Sequence, residues 1–225
     1  MHEQIFKRAK STQNKKIRFQ QIMDQTDQLF HTYSYHDITL TLIAKTLGLA
    51  RGGLYKYTAT KEEIFLAIYL QKQAGFLEDI MKSLPEQTVT VTSFSNCFSD
   101  TLFKHLDFLK YHQILNAIIE TNVSVERLAE FKLASNRQQR PLFAFWQAHF
   151  KLSHEEAFDL YLTILYHAVY LYDRVAYSDK YRQAMQLAGL HINEIDFSEK
   201  LNAFIELHLR KQNKNTAHTI QSAHP

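Results

Sequence analysis

Apolar residues recur along this chain at helical spacing almost throughout, and β-type alternation is confined to Val89–Thr92. Phe19, Ile22, Met23, Thr26, Leu29 and Phe30 form a stripe that predicts a first helix over about 14–32. Leu40, Ile43, Ala44 and Leu47 share one face of a second helix, with Thr39 placed to cap it. Gly48 follows, where left-handed backbone ends a helix without a Cβ clash. Leu49 and Leu54 then anchor a short third helix, whose outer surface is left to Arg51, Gly52, Gly53, Tyr55, Lys56 and Tyr57. Two short helices joined by a glycine turn make a helix-turn-helix, whose second helix enters the major groove of DNA. Thr60-Lys61-Glu62-Glu63 reads as a capping box, in which Thr60 and Glu63 each satisfy a backbone donor of the other. It opens a fourth helix through Ile64, Phe65, Ile68, Leu77 and Ile80 to about Leu84.

Past a loop expected over Pro85–Thr92, the pattern gives helices over about 94–109 and 111–121, with a break near Lys110. A further helix starts at Ser124, and Pro141, which lacks an amide donor, must kink or restart it. Ser153-His154-Glu155-Glu156 is another capping box. The helix it opens, Ala157–Arg174, is apolar nearly all round. Phe158, Tyr161, Leu162, Leu165, Ala168 and Tyr172 lie on one side, and Leu160, Ile164, His167 and Leu171 on another. Such a helix is buried on both sides. Phe197, Leu201, Phe204, Ile205 and Leu209 mark a last amphipathic helix, and a polar, disordered tail is expected after it. With only five Gly and three Pro, the chain reads as all-α.

Charge sharpens this picture. Residues 1–61 hold ten Lys and Arg against four Asp and Glu, a net +6, whereas the whole chain is +3. Positive charge gathered on the helix-turn-helix suits phosphate neutralisation and counterion release. Lys7–Lys16 reads equally as a solvated tail or as a DNA-contacting arm. No run of 18 apolar residues occurs, so no membrane span is expected. The N-terminus lacks a signal-peptide pattern and the single Cys97 has no disulfide partner, so a cytoplasmic location is expected.

Thr39, Ile43, Ala44, Gly48, Leu49, Gly52, Leu54, Tyr55, Tyr57, Lys61, Glu62 and Ile64 fall in fixed order, and Arg18, Ile22, Met23, Leu29 and Phe30 precede them. Over Arg18–Ile64 the chain resembles the DNA-binding domain of the TetR/AcrR family of dimeric transcriptional regulators. It departs from that pattern at Ala50, where a capping serine is usual, at Thr58, where a core phenylalanine is usual, and at Gln25-Thr26. Beyond Leu84, Leu115–Lys132 looks like one of the family's C-terminal subgroups. The resemblance implies an N-terminal three-helix helix-turn-helix domain (residues 1–62) joined by a long helix to a C-terminal helical ligand-binding and dimerisation domain (63–212), followed by the tail (213–225). It also implies a homodimer through the last two long helices, Ala157–Arg174 and Ser198–Arg210, a double-stranded DNA operator, and release by a small-molecule effector.

At the DNA surface, Arg51 can offer two donors to guanine O6 and N7. Gly52 and Gly53 let the backbone approach the groove floor. The hydroxyls of Tyr55 and Tyr57 suit phosphate, although both can be core aromatics with a polar tip. Lys56 can reach phosphate or base, or be merely solvated. Thr39 and Thr41, at the start of the second helix, are placed for a phosphate contact. Lys61 matches the family lysine that meets the phosphate backbone, beside free helix amides.

An effector cavity in the C-terminal domain would be lined by Phe76, Phe98, Leu102, His105, Ile118, Phe143, Trp146 and Tyr166, which suits a flat or hydrophobic compound. The same residues at helical spacing also read as plain core. Twelve histidines raise metal sensing by the same fold, but no His-x3-His or Cys-x2-Cys pair exists, and no metal site is expected. Gly75 and Gly189 are isolated, so no phosphate loop or dinucleotide fingerprint can be built, and neither catalysis nor a cofactor is expected. A non-specific DNA-binding protein is the remaining alternative, separable by its lack of a preferred sequence.

Overall fold

With few helix breakers in the sequence, the computed structural model is helical, with no strand among the described residues. It describes the backbone of residues 2–84 and 89–221, and the side chains of these apart from 2–12, Arg51 and 212–221. The elements are α1 (His2–Thr32), α2 (Leu40–Thr46), α3 (Arg51–Leu54), α4 (Lys61–Ser83), α5 (Val91–Lys104) and α6 (Leu106–Ile114). A π-helical turn (Leu115–Ile119) and a 3-10 turn (Glu120–Asn122) lead to α7 (Val125–Phe150), α8 (His154–Val175), α9 (Asp179–Leu187) and α10 (Phe197–Gln221). The chain divides into two compact units, residues 1–71 with 114–133, and residues 72–113 with 134–225.

In the first unit the expected α1 stripe is buried: Ile22, Met23, Thr26, Leu29 and Phe30 meet Ile38, Ile43, Ala44, Leu54, Ile64, Phe65 and Ile68. Phe65 is the centre of this core, with Phe30 and Tyr35 edge-on to it at 5.1 and 5.2 Å. Thr26, fully buried where the family favours alanine, donates its hydroxyl to the Ile22 carbonyl at 2.8 Å, so its burial leaves no polar group unmet. Phe131 packs edge-on against Tyr69 at 5.5 Å, tying the 114–133 segment to α4 within this unit.

The second unit has an aromatic core in which Phe76, Phe94, Phe98, Phe108, Phe143 and Trp146 are all buried. Beside it lies a buried polar cluster. Ser135 donates to Gln73 Oε1 at 2.9 Å, Gln139 to Ser135 at 3.1 Å, and Gln73 to the Tyr161 hydroxyl at 3.2 Å. Burial pushes the Tyr161 hydroxyl well above its ordinary range, against the opposing pull of its Gln73 bond. Such a network fixes one register between α4, α7 and α8, because a slip would strand several buried polar groups at about 1–3 kcal/mol each. α10 packs on α5 and α8.

Several elements differ from expectation. α1 begins at His2, since nothing in 2–13 stops a helix although the apolar stripe starts only at Phe19. The break expected near Lys110 falls at His105, which leaves α-helical geometry at φ −116°, ψ 37°. Pro141 does not restart its helix, because α7 runs through it. The proline sits on an exposed side, where water can serve the carbonyl it leaves without a helical donor. α8 buries residues from both of its apolar sides in the chain's own core, Leu160, Ile164 and Leu171 with Tyr161, Leu165 and Ala168. What faces outward is tyrosine, with Tyr166 52% and Tyr170 53% exposed. α9 was not expected. Its signal is the Ser178 cap and the turn at Gly189, whose φ is +67°. The loop expected over Pro85–Thr92 lies at 85–88 outside the described residues, and α5 starts within its end, capped by Thr90. α10 extends to Gln221, and the rest of the expected tail also lies outside them.

Candidate nucleic-acid interface

The α2–turn–α3 unit is built as the pattern dictates. Thr39 Oγ1 accepts the Leu42 amide at 3.1 Å, capping α2. Gly48, at φ +65°, ends it: its amide donates to Lys45 at 3.2 Å and the Leu49 amide to Ala44 at 2.8 Å. These are the two bonds of a Schellman cap. Nothing lies within 4 Å of where a Gly48 Cβ would stand, so backbone conformation alone demands glycine there. α3 has only one turn, and Ala50 gives it no side-chain cap. The Gly53 amide donates to the Ala50 carbonyl at 2.8 Å, and no side chain caps the amides ahead of it.

Gly52 is exposed and Gly53 half-buried, and a Cβ at either would meet nothing within 4 Å. No packing inside the protein requires those two glycines. Tyr55, at the end of α3, is 47% exposed, Lys56 and Thr41 are exposed, and Tyr57 is half-buried. The Arg51 backbone opens α3, but its side chain lies outside the described residues. Lys15 and Lys16 are exposed, while Lys7, Arg8 and Lys10 carry side chains outside the described residues.

Behind α3, two arrangements escaped the sequence reading. The capping box at α4 forms only by half: Thr60 Oγ1 accepts the Glu63 amide at 3.2 Å, but the Glu63 carboxylate turns to the Ala59 amide at 2.8 Å. The same carboxylate accepts the Thr58 hydroxyl at 3.0 Å, and that hydroxyl also lies 2.7 Å from the Thr60 carbonyl. Thr58, buried where the family places a phenylalanine, thus replaces apolar filling with hydrogen bonds. The second arrangement holds the α1–α2 corner. Lys61 Nζ donates to the carbonyls of Tyr35 at 2.7 Å and Ile38 at 2.8 Å, and stands 3.9 Å from the centre of the Tyr35 ring. The Tyr35 hydroxyl donates to Glu62. Burial, then the Glu62 carboxylate, raise the Tyr35 hydroxyl above its ordinary range. Burial lowers the Lys61 ammonium, opposed by Glu62 and Asp37.

Of the residues proposed to line an effector cavity, five meet in the second unit's core. Phe76 lies 5.3 Å from Phe98, Phe98 6.3 Å from Trp146, and Trp146 6.0 Å from Phe143, with Leu102 buried on the same helix as Phe98. His105 touches this cluster through Phe76 at 5.9 Å, while its Nε2 is 2.9 Å from Asp79. Tyr166, 52% exposed on α8, lies 5.6 Å from His112, which is 6.1 Å from Phe108, and Ile118 belongs to the first unit. Among the described residues, the buried Trp146 Nε1 meets no acceptor. No helix among the described residues is long and apolar enough to cross a membrane, and no three metal-ligating side chains cluster among them.

A model of bacterial regulatory proteins of the tetR family matches residues 22–68, and one described as tetracyclin repressor-like, C-terminal domain matches residues 70–210. Two relatives come from Bacillus subtilis (strain 168). A fatty acid metabolism regulator protein is 29% identical over 73 residues, 32% of this chain and 38% of that protein. An uncharacterized HTH-type transcriptional regulator, YhgD, is 25% identical over 108 residues, 48% of this chain and 54% of that one. The chain thus aligns with less than two thirds of either relative's length. Among solved structures, the fatty acid degradation regulator FadR from Bacillus halodurans shares the fold at a TM-score of 0.50 and 20% identity, covering 85% of this chain and 94% of that one. PfmR, a TetR family transcriptional regulator from Thermus thermophilus, also gives 0.50 and 20%, covering 84% and 97%.

Proposed function

As the chain belongs to the TetR family of bacterial DNA-binding transcriptional regulators, we propose that it is a homodimeric repressor whose two α3 helices read a palindromic operator. A small hydrophobic or aromatic effector releases it. The observation that carries this reading is the glycine pair of α3, open on its outer side and flanked by the exposed Tyr55 and Lys56. Backbone free of side chains can approach a groove floor, where Arg51 would give two donors to a guanine. Tyr55, Tyr57, Lys56 and Thr41 then suit phosphate or base edges, and Thr39, already capping α2, keeps a second lone pair.

Two-fold pairing is supported by the seam between α8 and α10. Outside the core it carries Tyr170, the half-buried His167, Phe204 and His208, and Leu207 at 66% exposure. His167 and Phe204 stack with centroids 3.8 Å apart and planes 5° from parallel. Exposed aromatic surface of this kind belongs to interfaces. An effector reading is supported by the Trp146 indole, a buried donor that costs about 1–3 kcal/mol while unmet and that an acceptor on an otherwise apolar molecule would satisfy. Two of the relatives are named for fatty acid metabolism or degradation, which accords with an apolar effector.

The Arg51→Ala variant tests the base-reading role against a panel of single base-pair changes in a bound duplex. It should lose ~1–3 kcal/mol of discrimination at one base pair in each half-site and keep its preferences elsewhere. Equal weakening for all sequences would make Arg51 a phosphate anchor and remove it from the reading surface.

A further inference from the structure

Resting on the DNA-binding reading, we infer that the Glu63 carboxylate is a junction through which α7 positions α3, with Arg127 as the positioning residue on α7. One oxygen of the carboxylate serves the back of α3: it accepts the Thr58 hydroxyl at 3.0 Å and the Ala59 amide at 2.8 Å. Thr58 in turn closes α3, since its amide and that of Tyr57 donate to the Leu54 carbonyl at 3.3 and 2.9 Å. The other oxygen faces Arg127 Nε at 3.5 Å. A helix of one turn without a side-chain cap has little stiffness of its own, so α3 takes its pose from what lies behind it. A hydrocarbon side chain at position 58 would pack there without direction. The buried Thr58 hydroxyl instead ties that back to a group that α7 also reaches.

Arg127 is itself held in place. Its amide donates to Ser124 Oγ at 3.3 Å where α7 begins, and its Nη1 donates to Glu130 at 2.9 Å. One turn further along the same face, Phe131 packs edge-on against Tyr69 of α4 at 5.5 Å. Lys132 donates to Glu120 at 2.6 Å, closing the segment that the π-helical and 3-10 turns open. All these residues belong to the first unit, whereas α7 continues past Leu133 and carries Phe143 and Trp146 in the second. A shift of α7 along its axis would therefore move the guanidinium against Glu63, and the same carboxylate holds Thr58 and Ala59. The Arg127 side chain is 55% exposed and that of Glu63 17%, so water screens the pair and limits its effect to a few-fold.

The test uses the full chain with Arg127→Gln, Glu63→Gln and the double variant, beside Glu63→Ala. Glutamine at 63 keeps an acceptor for Thr58 and Ala59 and removes only the charge that faces Arg127, while alanine removes both links. At a temperature where circular dichroism finds every variant folded, Arg127→Gln and Glu63→Gln should each weaken duplex binding about two- to fivefold. The double variant should bind no more weakly than either alone, and Glu63→Ala more weakly than Glu63→Gln. The slope of log affinity against log salt should stay at the wild-type value in Arg127→Gln. Without DNA, exchange of the Tyr57 and Thr58 amides should accelerate in Arg127→Gln. A direct phosphate contact by Arg127 predicts a slope smaller by about 0.9 and a loss that ignores residue 63. A mere effect of charge predicts tighter binding by Glu63→Gln, since an anion near DNA is removed. Either pattern, or unaltered affinity in the folded variants, overturns the inference. A wild-type chain that binds no duplex overturns the DNA reading. Exchange at residues 57 and 58 then decides the junction by itself, with acceleration in Arg127→Gln upholding it and wild-type rates overturning it.

Discussion

Replacing Gly52 by alanine should make the protein more stable and a poorer DNA binder. A methyl added at Gly52 meets nothing within 4 Å, and the residue lies inside α3 without a positive φ, so neither clash nor backbone strain opposes it. Alanine is the better helix former by roughly 0.5–1 kcal/mol, and in a single-turn helix the lower figure applies. For a chain of this length that corresponds to a melting shift of about 1–2 °C upward. Against DNA the sign reverses. If the glycine backbone rests on the groove floor, a methyl there overfills a packed contact at about 1–3 kcal/mol, which is roughly 5- to 150-fold in affinity. Both quantities can be read on one preparation, by thermal denaturation and by fluorescence anisotropy with a labelled duplex. Affinity that holds steady or rises with stability would refute the placement of α3 in the groove.

Other substitutions probe the supporting structure. Gly48→Ala also meets open space, but at φ +65° it should destabilise by about 1–2 kcal/mol in urea unfolding, and a neutral result would remove the Schellman turn from the account. The His167 imidazole is held below its ordinary value by burial and, secondarily, by His208. Because the folded seam favours the neutral ring, its contribution is complete above about pH 6.5 and is lost as pH falls through the depressed folded-state value. The melting temperature of His167→Gln should therefore fall less between pH 7.5 and 5.5 than that of the wild type, and an identical fall would contradict this.

How far the sequence alone could be read follows from the kind of interaction involved. Periodicity found α2, the Gly48 turn and the buried stripe of α1, because local spacing decides which face is apolar. The Ser153 capping box formed as written, with Ser153 and Glu156 exchanging bonds at 2.7 and 3.1 Å. At Thr60 the same pattern was half wrong, since buried Thr58 and the Ala59 amide compete for the Glu63 carboxylate. That competition depends on a hydroxyl reaching across five residues, which spacing does not encode. The grip of Lys61 on the 35–38 segment joins residues 23 and 26 apart, so only the folded corner reveals it. Which side of α8 its own chain covers stayed open for a related reason: a helical wheel cannot count how many neighbours a helix will have, and the core takes Leu160 and Leu171. The effector set shows the same limit, since spacing does not tell that Tyr166 is half exposed against His112 or that Ile118 falls in the first compact unit.

Enrichment of bound duplexes from a random pool by the full chain addresses the central claim most directly. Two α3 helices presented by a symmetric pair should select a palindrome, with a guanine in each half-site that Arg51→Ala no longer distinguishes. Recovery of no preferred sequence, or of one lacking two-fold symmetry, would contradict it.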